Sequence, residues 1–233
     1  MKNLKALMML LIGVFALTIT SCNSEDSDHY YTQEEQQAIQ SKMYGTYGGK
    51  LIMYKPNSTT GKAEPYHTIS TTWSTYKGNA ALGEDSLITV SEFPINMLDS
   101  AIVIPNTDDT DEIKTLRALR TAISKLPAED LKCKYYVMSD NPYYTLTNGY
   151  RFFLSPLIVK KQLTYDGKQH DVYFVFAMNN YLGEWTWSAT GGSMKLYMEF
   201  VSISVDKAPQ SYYPSFSRNY FRTLAITCGY DKQ

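Results

Sequence analysis

The sequence predicts a mainly β protein with a helical excursion, an antiparallel β-sandwich or barrel of eight or nine strands plus two or three helices. Three observations carry that reading. Twenty tyrosines, nine phenylalanines and three tryptophans suit a pleated, half-buried surface better than a helix. Residues 157–165 and 170–178 flank Asp166-Gly167, a dipeptide that favours a tight hairpin. Strand-like runs also recur at short, fairly regular intervals, which suits antiparallel neighbours rather than crossover connections.

The chain opens on a leader. Lys2 and Lys5 precede an apolar run from Leu7 to Ile19, which closes on Thr20-Ser21-Cys22. A basic start, an apolar core and small residues before a cut mark an export signal. The run is also shorter than the ~20 residues a membrane-spanning helix needs. Residues 1–21 are therefore expected to be removed, residues 22–31 to form a flexible acidic tether, and residues 32–233 to fold as one β-rich domain. A domain of that size buries roughly 70% of its unfolded surface and needs no metal to fold.

Thr32-Gln33-Glu34-Glu35 matches a capping box and predicts a helix from about Gln33 to Met43. Gly45 to Gly49 stops it and opens a first strand through Tyr54. A polar loop, residues 56–65, leads to strand-like runs at 66–77 and 86–93, separated by Gly78, Asn79 and Gly83. From Pro94 the spacing turns helical. Ile95, Leu98 and Ile102 begin the excursion, Asp109 and Glu112 form a second capping pair, and Leu116, Leu119, Ile123 and Leu126 make one apolar stripe.

The second half returns to strands. Val172, Phe174, Phe176 and Met178 share one face and Tyr173, Val175 and Ala177 the other, so this strand is expected to be covered on both sides. Trp185 and Trp187 share a face of the next short strand. A long strand, Met194 to Val205, should carry Tyr197, Val201, Ile203 and Val205 on one face, and residues 220–228 form the last strand. Tyr47-Gly48-Gly49-Lys50-Leu51 is partly echoed by Thr190-Gly191-Gly192-Ser193-Met194-Lys195-Leu196, a sign of duplication.

Ile19-Thr20-Ser21-Cys22 resembles the bacterial lipobox, which implies lipidation of Cys22 as the first mature residue. Glu25, Asp26 and Asp28 resemble the surface-export signal of Bacteroidetes lipoproteins. With the early helix running into Tyr44-Gly45-Thr46-Tyr47-Gly48-Gly49-Lys50, the segment Ser91-Glu92-Phe93-Pro94 and the β-rich second half, the chain is similar to small Bacteroidetes outer-membrane lipoproteins of an uncharacterised family. That likeness implies a membrane partner through the lipid (palmitate) and an outer-membrane, surface-exposed location, or the periplasmic face instead. The capped helix before Gly45-x-Tyr47 also resembles the start of a lipocalin-like barrel, with Tyr in place of the usual Trp.

Charge is nearly balanced, 22 basic against 23 acidic side chains, or 20 against 23 once Lys2 and Lys5 leave with the leader. No basic cluster is present, so nucleic acid is not an expected partner. The histidines, His29, His67 and His170, form no His-x-x-x-His pair, and the cysteines form no Cys-x-x-Cys pair. No metal or cofactor is expected. Asn106 to Glu112 is densely acidic but lacks the glycine and distal glutamate of a calcium loop, and helix capping accounts for it. No Gly-x-Ser-x-Gly elbow is present. Beyond Cys22, Cys133 and Cys228 remain. In an oxidising compartment they can form a disulfide; otherwise they are two buried thiols acting as small hydrophobes.

Candidate ligand-binding residues are the aromatic clusters Tyr143, Tyr144 and Tyr150, then Trp185 and Trp187, then Tyr212 and Tyr213 beside Phe216. Aromatics among Asn, Gly and Ser make a stacking platform if exposed; packed down, they anchor loops. The expected function is a non-enzymatic binding or accessory module for a glycan or partner protein. A lipocalin-like carrier of an apolar small molecule is the alternative. A hydrolase built on two of Glu84, Asp85, Glu92, Glu184 and Glu199 comes third.

Overall fold

The computed structural model describes residues 30–57, 59–76, 86–105, 110–137, 139, 145–155, 157–177, 182–209 and 218–229. Cys22 and the leader lie outside them, as do Tyr143, Tyr144, Tyr212 and Tyr213. Helix α1 spans Gln33–Lys42. Its capping box is complete: Glu35 N–H donates to Thr32 Oγ1 (3.3 Å), and Thr32 N–H donates to the Glu35 carboxylate (2.8 Å). Strands β1 (Gly45–Pro56), β2 (Ala63–Tyr76) and β3 (Leu87–Phe93) follow. The excursion is a 3-10 helix, Ile95–Ala101, and helix α2, Asp111–Ile123, which buries Ile113, Leu116, Leu119 and Ile123. Its cap is Thr110, not Asp109: Thr110 has the extended backbone of a cap, and its hydroxyl accepts from Ile113 N–H (3.3 Å).

The second half carries β4 (Glu129–Tyr136), β5 (Thr145–Leu146), β6 (Gly149–Leu154), β7 (Leu157–Tyr165), β8 (Lys168–Ala177), β9 (Leu182–Ser188), β10 (Gly191–Val205) and β11 (Leu224–Cys228). Every pairing is antiparallel, and the sheet bends into a ring, β1-β2-β3-β4-β6-β9-β10-β11 and back to β1. The ring follows chain order once β5 and the β7–β8 hairpin are set aside. That hairpin attaches to the C-terminal half of β10 and closes one end of the ring. Phe93, Phe174, Phe176, Phe200 and Phe221 meet there, with ring centroids 5.3–6.0 Å apart.

Strand alternation fills the interior. Leu51, Met53, Trp73, Ile88, Val90, Leu131, Cys133, Phe152, Leu154, Met194, Leu196, Met198 and Ile226 are all buried in one core. At the other end α1 and its C-cap insert Ile39 and Met43 into that core. Gln40 Nε2 donates to Tyr135 O (3.2 Å), and Tyr47 OH donates to Met43 O (2.6 Å). Among the described residues no helix is long and apolar enough to cross a membrane.

Three further expectations need correction. Tyr150 is not a loop residue, because β5 and β6 form a hairpin across Thr147-Asn148 and put it on β6. The long strand does not keep one face throughout. A bulge between Phe200 and Ser202 inserts Val201 without a partner on β8, and an extra residue reverses the alternation. Ile203 is therefore buried with Met198 and Phe200, while Tyr197 and Val201 are half-buried on the other side. The last strand begins at Leu224, because Arg218–Tyr220 forms a 3-10 turn and Phe221 only bridges to Ile102.

Candidate functional site

The α1 end of the ring holds an open cleft of about 330 Å³, lined by Thr46, Tyr47, Gly48, Gly49, Lys50, Trp73, Gly192, Ser193, Met194 and Gly229. Its origin is topological. Leu51 and Leu196 both lie opposite Cys228, the last residue of β11. Beyond that level β1 pairs with β2 and β10 pairs with β9, and no described strand fills the space between. The two segments that echo each other in sequence, Gly48-Gly49-Lys50-Leu51 and Gly192-Ser193-Met194-Lys195-Leu196, thus form the two walls.

Aromatic rings make the floor. Alternation turns Tyr47, Gly49 and Leu51 inward on β1, and Gly192, Met194 and Leu196 inward on β10. A Cβ on Gly192 would sit 3.0 Å from Trp185 Nε1 and 3.6 Å from Tyr47 Cε1. A Cβ on Gly49 would sit 3.0 Å from the Trp73 ring. Glycine at these positions therefore lets the indoles and the phenol rise to the level of the wall. Trp185 Nε1 donates to Tyr47 OH (2.9 Å), which in turn donates to Met43 O. Burial raises the Tyr47 pKa, partly offset by the hydrogen bonds with Trp185 and Thr75, so the phenol stays protonated and holds both contacts at neutral pH.

The aromatic floor continues to an exposed edge. Tyr150 lies opposite Trp185 in the β6–β9 pair and stacks on it (centroids 6.2 Å, 12° between planes). Trp187 packs against both, 6.0 Å from Tyr150 and 5.3 Å from Trp185, and Lys42 Nζ lies 5.8 Å from the Tyr150 ring. Trp185 is only 4% exposed, whereas Trp187 is 43% exposed. Of the candidate residues, the structure thus joins Tyr150, Trp185 and Trp187 into one cluster beside the cleft. Tyr143, Tyr144, Tyr212 and Tyr213 fall outside the described residues. Trp73 and Tyr47 were not apparent as site residues; the glycine echo was the one signal that pointed to this place.

Other candidates lie apart from the cleft or beneath it. Cys133 and Cys228 are both buried and both free thiols. Burial pushes the Cys133 thiol from an ordinary 9.0 up to about 12 and also raises Cys228, so neither is an activated nucleophile. His170 Nδ1 lies 2.8 Å from Asp206 Oδ2, and its ring stacks on Tyr165. Arg151 pairs with Glu184 (3.3 Å), and Tyr197 OH donates to Glu199 (3.4 Å). Among the described residues no three His, Cys, Asp or Glu side chains gather to hold a metal.

A sequence-family model described as a domain of unknown function, DUF4840, matches residues 42–205, from the end of α1 to the end of β10. No curated protein and no solved structure matches the chain.

Proposed function

We propose that this chain, which belongs to the DUF4840 family, is a lipid-anchored cell-envelope protein that binds a glycan or a protein partner without acting on it chemically. The cleft carries the reading. Its glycine walls give a ligand close access to backbone, its floor is aromatic, and Trp187 stands half-exposed beside it. Large rigid rings with little entropy to lose are typical anchors of binding surfaces. Anchoring is supported by the leader and by Ser21-Cys22 at its end, and surface display by Glu25, Asp26 and Asp28 directly after the lipid.

The competing readings have less support. A carrier of an apolar molecule needs an empty interior, and this ring is filled by Trp73, Phe152, Leu196 and Met198, each no more than 1% exposed. A two-carboxylate hydrolase has Glu184 engaged by Arg151. The test uses the full mature protein in detergent against a glycan array and a random peptide library. Trp187→Ala should weaken whatever binds by about 1–3 kcal/mol, the cost of an aromatic hot spot, with the melting temperature little changed. Absence of binding in both screens, or binding indifferent to Trp187→Ala and to blocking of the cleft, overturns the reading.

A further inference from the structure

β11 forms the seam of the ring, and it stops before the seam does. Gly45–Gly49 of β1 and Gly191–Met194 of β10 run past its end, each with a strand partner on one side only among the described residues. Neighbouring strands lie about 4.8 Å apart, so edges flanking a position that no described strand fills stand on the order of 10 Å apart.

The backbone groups along both edges turn inward to that gap. Gly229 N–H donates to Lys50 O (3.0 Å), which fixes the direction in which Lys50 points. Alternation then points the N–H and C=O of Gly48 and Thr46 the same way. On the opposite edge, Met194 O lies 2.8 Å from the position a Cβ on Gly229 would take, so Met194 and Gly192 face the gap from β10. Both edges are antiparallel to β11 and therefore parallel to each other.

A separate observation lies beneath. Trp73 is 1% exposed, its ring rests against Gly49 and Gly229, and its Nε1 is a buried donor with no acceptor. Buried donors are rarely left so.

We propose that the cleft takes an extended peptide segment of a partner protein as a guest strand, in line with β11 and antiparallel to both β1 and β10. This rests on the reading of the cleft as the binding site and names its ligand class. Open strand edges are templates for strand addition, and here two edges face one gap, so a guest gains ladder hydrogen bonds on both sides. The inward positions of the guest must be small, because the Tyr47 ring already occupies the space under Gly192. The polar side chains lining the cleft are Thr46, Tyr47, Lys50, Trp73 and Ser193, and the Tyr47 hydroxyl is already engaged by Trp185 and Met43. Aligned backbone groups, rather than the polar side chains a sugar would need, dominate it.

The test selects a phage-displayed random heptapeptide library on the full mature protein in detergent and then uses the enriched peptide as probe. Enriched sequences should alternate small residues. N-methylating alternate amides of that peptide should lower its affinity at least tenfold. Gly48→Pro, which removes an N–H facing the gap, should do the same. The N-methyl comparison uses the unaltered protein and does not depend on how Gly48→Pro folds. No enrichment, or equal binding of the N-methylated peptide, overturns the proposal. If a glycan binds in a Trp187-dependent way and no peptide does, the guest strand is wrong and the binding-module reading stands; if neither binds, both fall. Selection that succeeds only after deletion of residues 230–233 would assign the gap to the chain's own tail and likewise overturn it.

Discussion

Tyr47 shows how much one side chain can hold. Its hydroxyl accepts from Trp185 Nε1 and donates to Met43 O, tying β1, β9 and the end of α1 together. Tyr47→Phe removes the oxygen and leaves the Trp185 donor unsatisfied, at a cost of about 1–3 kcal/mol. For a domain of this size that corresponds to a loss of roughly 2–4 °C per kcal/mol in a thermal melt. The buried thiols offer a second check. With Cys133 at about 12 and Cys228 also raised, iodoacetamide at pH 8 should label neither in the native protein and both after unfolding. The folded-state value of Cys133 lies above the ordinary 9.0. Its contribution to stability is therefore fully present below about pH 9 and is lost as pH rises toward 12. Denaturant midpoints at pH 8 and pH 10.5 should show the decline.

The β7–β8 hairpin tests turn chemistry at the level of an element. Asp166 (φ +51°) and Gly167 (φ +70°) both adopt the left-handed region, as a tight two-residue hairpin loop requires. Nothing lies within 4 Å of a Cβ placed on Gly167, so space is not the constraint; backbone strain is. Gly167→Val should destabilise by about 1 kcal/mol or more, measurable as a lowered denaturant midpoint. This hairpin, the α1 capping box and the α2 stripe were legible in the sequence because their signals are local, within a few residues or one helical period. The bulge at Val201 was not, because it exists only against β8. Tyr150 read as a loop residue because Asn148-Gly149 is a strong turn signal, and the strand it opens is defined by pairing with β9.

For the molecule as a whole, the proposed address and the proposed binding site are separate parts. Cys22→Ala should abolish lipidation and move the protein from the membrane to the soluble fraction, and continued tight membrane association would refute the anchor. Replacing Glu25, Asp26 and Asp28 with Ala should shift the protein from the cell surface to the periplasmic face, read by protease accessibility on intact cells. The members of the aromatic cluster were visible in the sequence, Tyr150 in one group and Trp185 with Trp187 in another, but their meeting was not, because it depends on the β6–β9 pairing. The cleft was visible only as two glycine-containing segments with similar neighbours. What made those segments a site was the length of β11, five residues against twelve in β1 and fifteen in β10, and no local pattern reports such a mismatch.

That same strand decides when the molecule can exist at all. β11 joins β1 to β10 and is the last of the ring's strands in chain order. Until it is made, the first strand has only half its partners, and two edges of apolar sheet remain open. Contacts that wait on the far end of a chain form slowly, and such a delay would suit the export proposed above, in which a polypeptide is threaded through a channel before it folds. Closure of the ring therefore depends on its last strand, and a chain interrupted before Leu224 lacks the segment that joins β1 to β10.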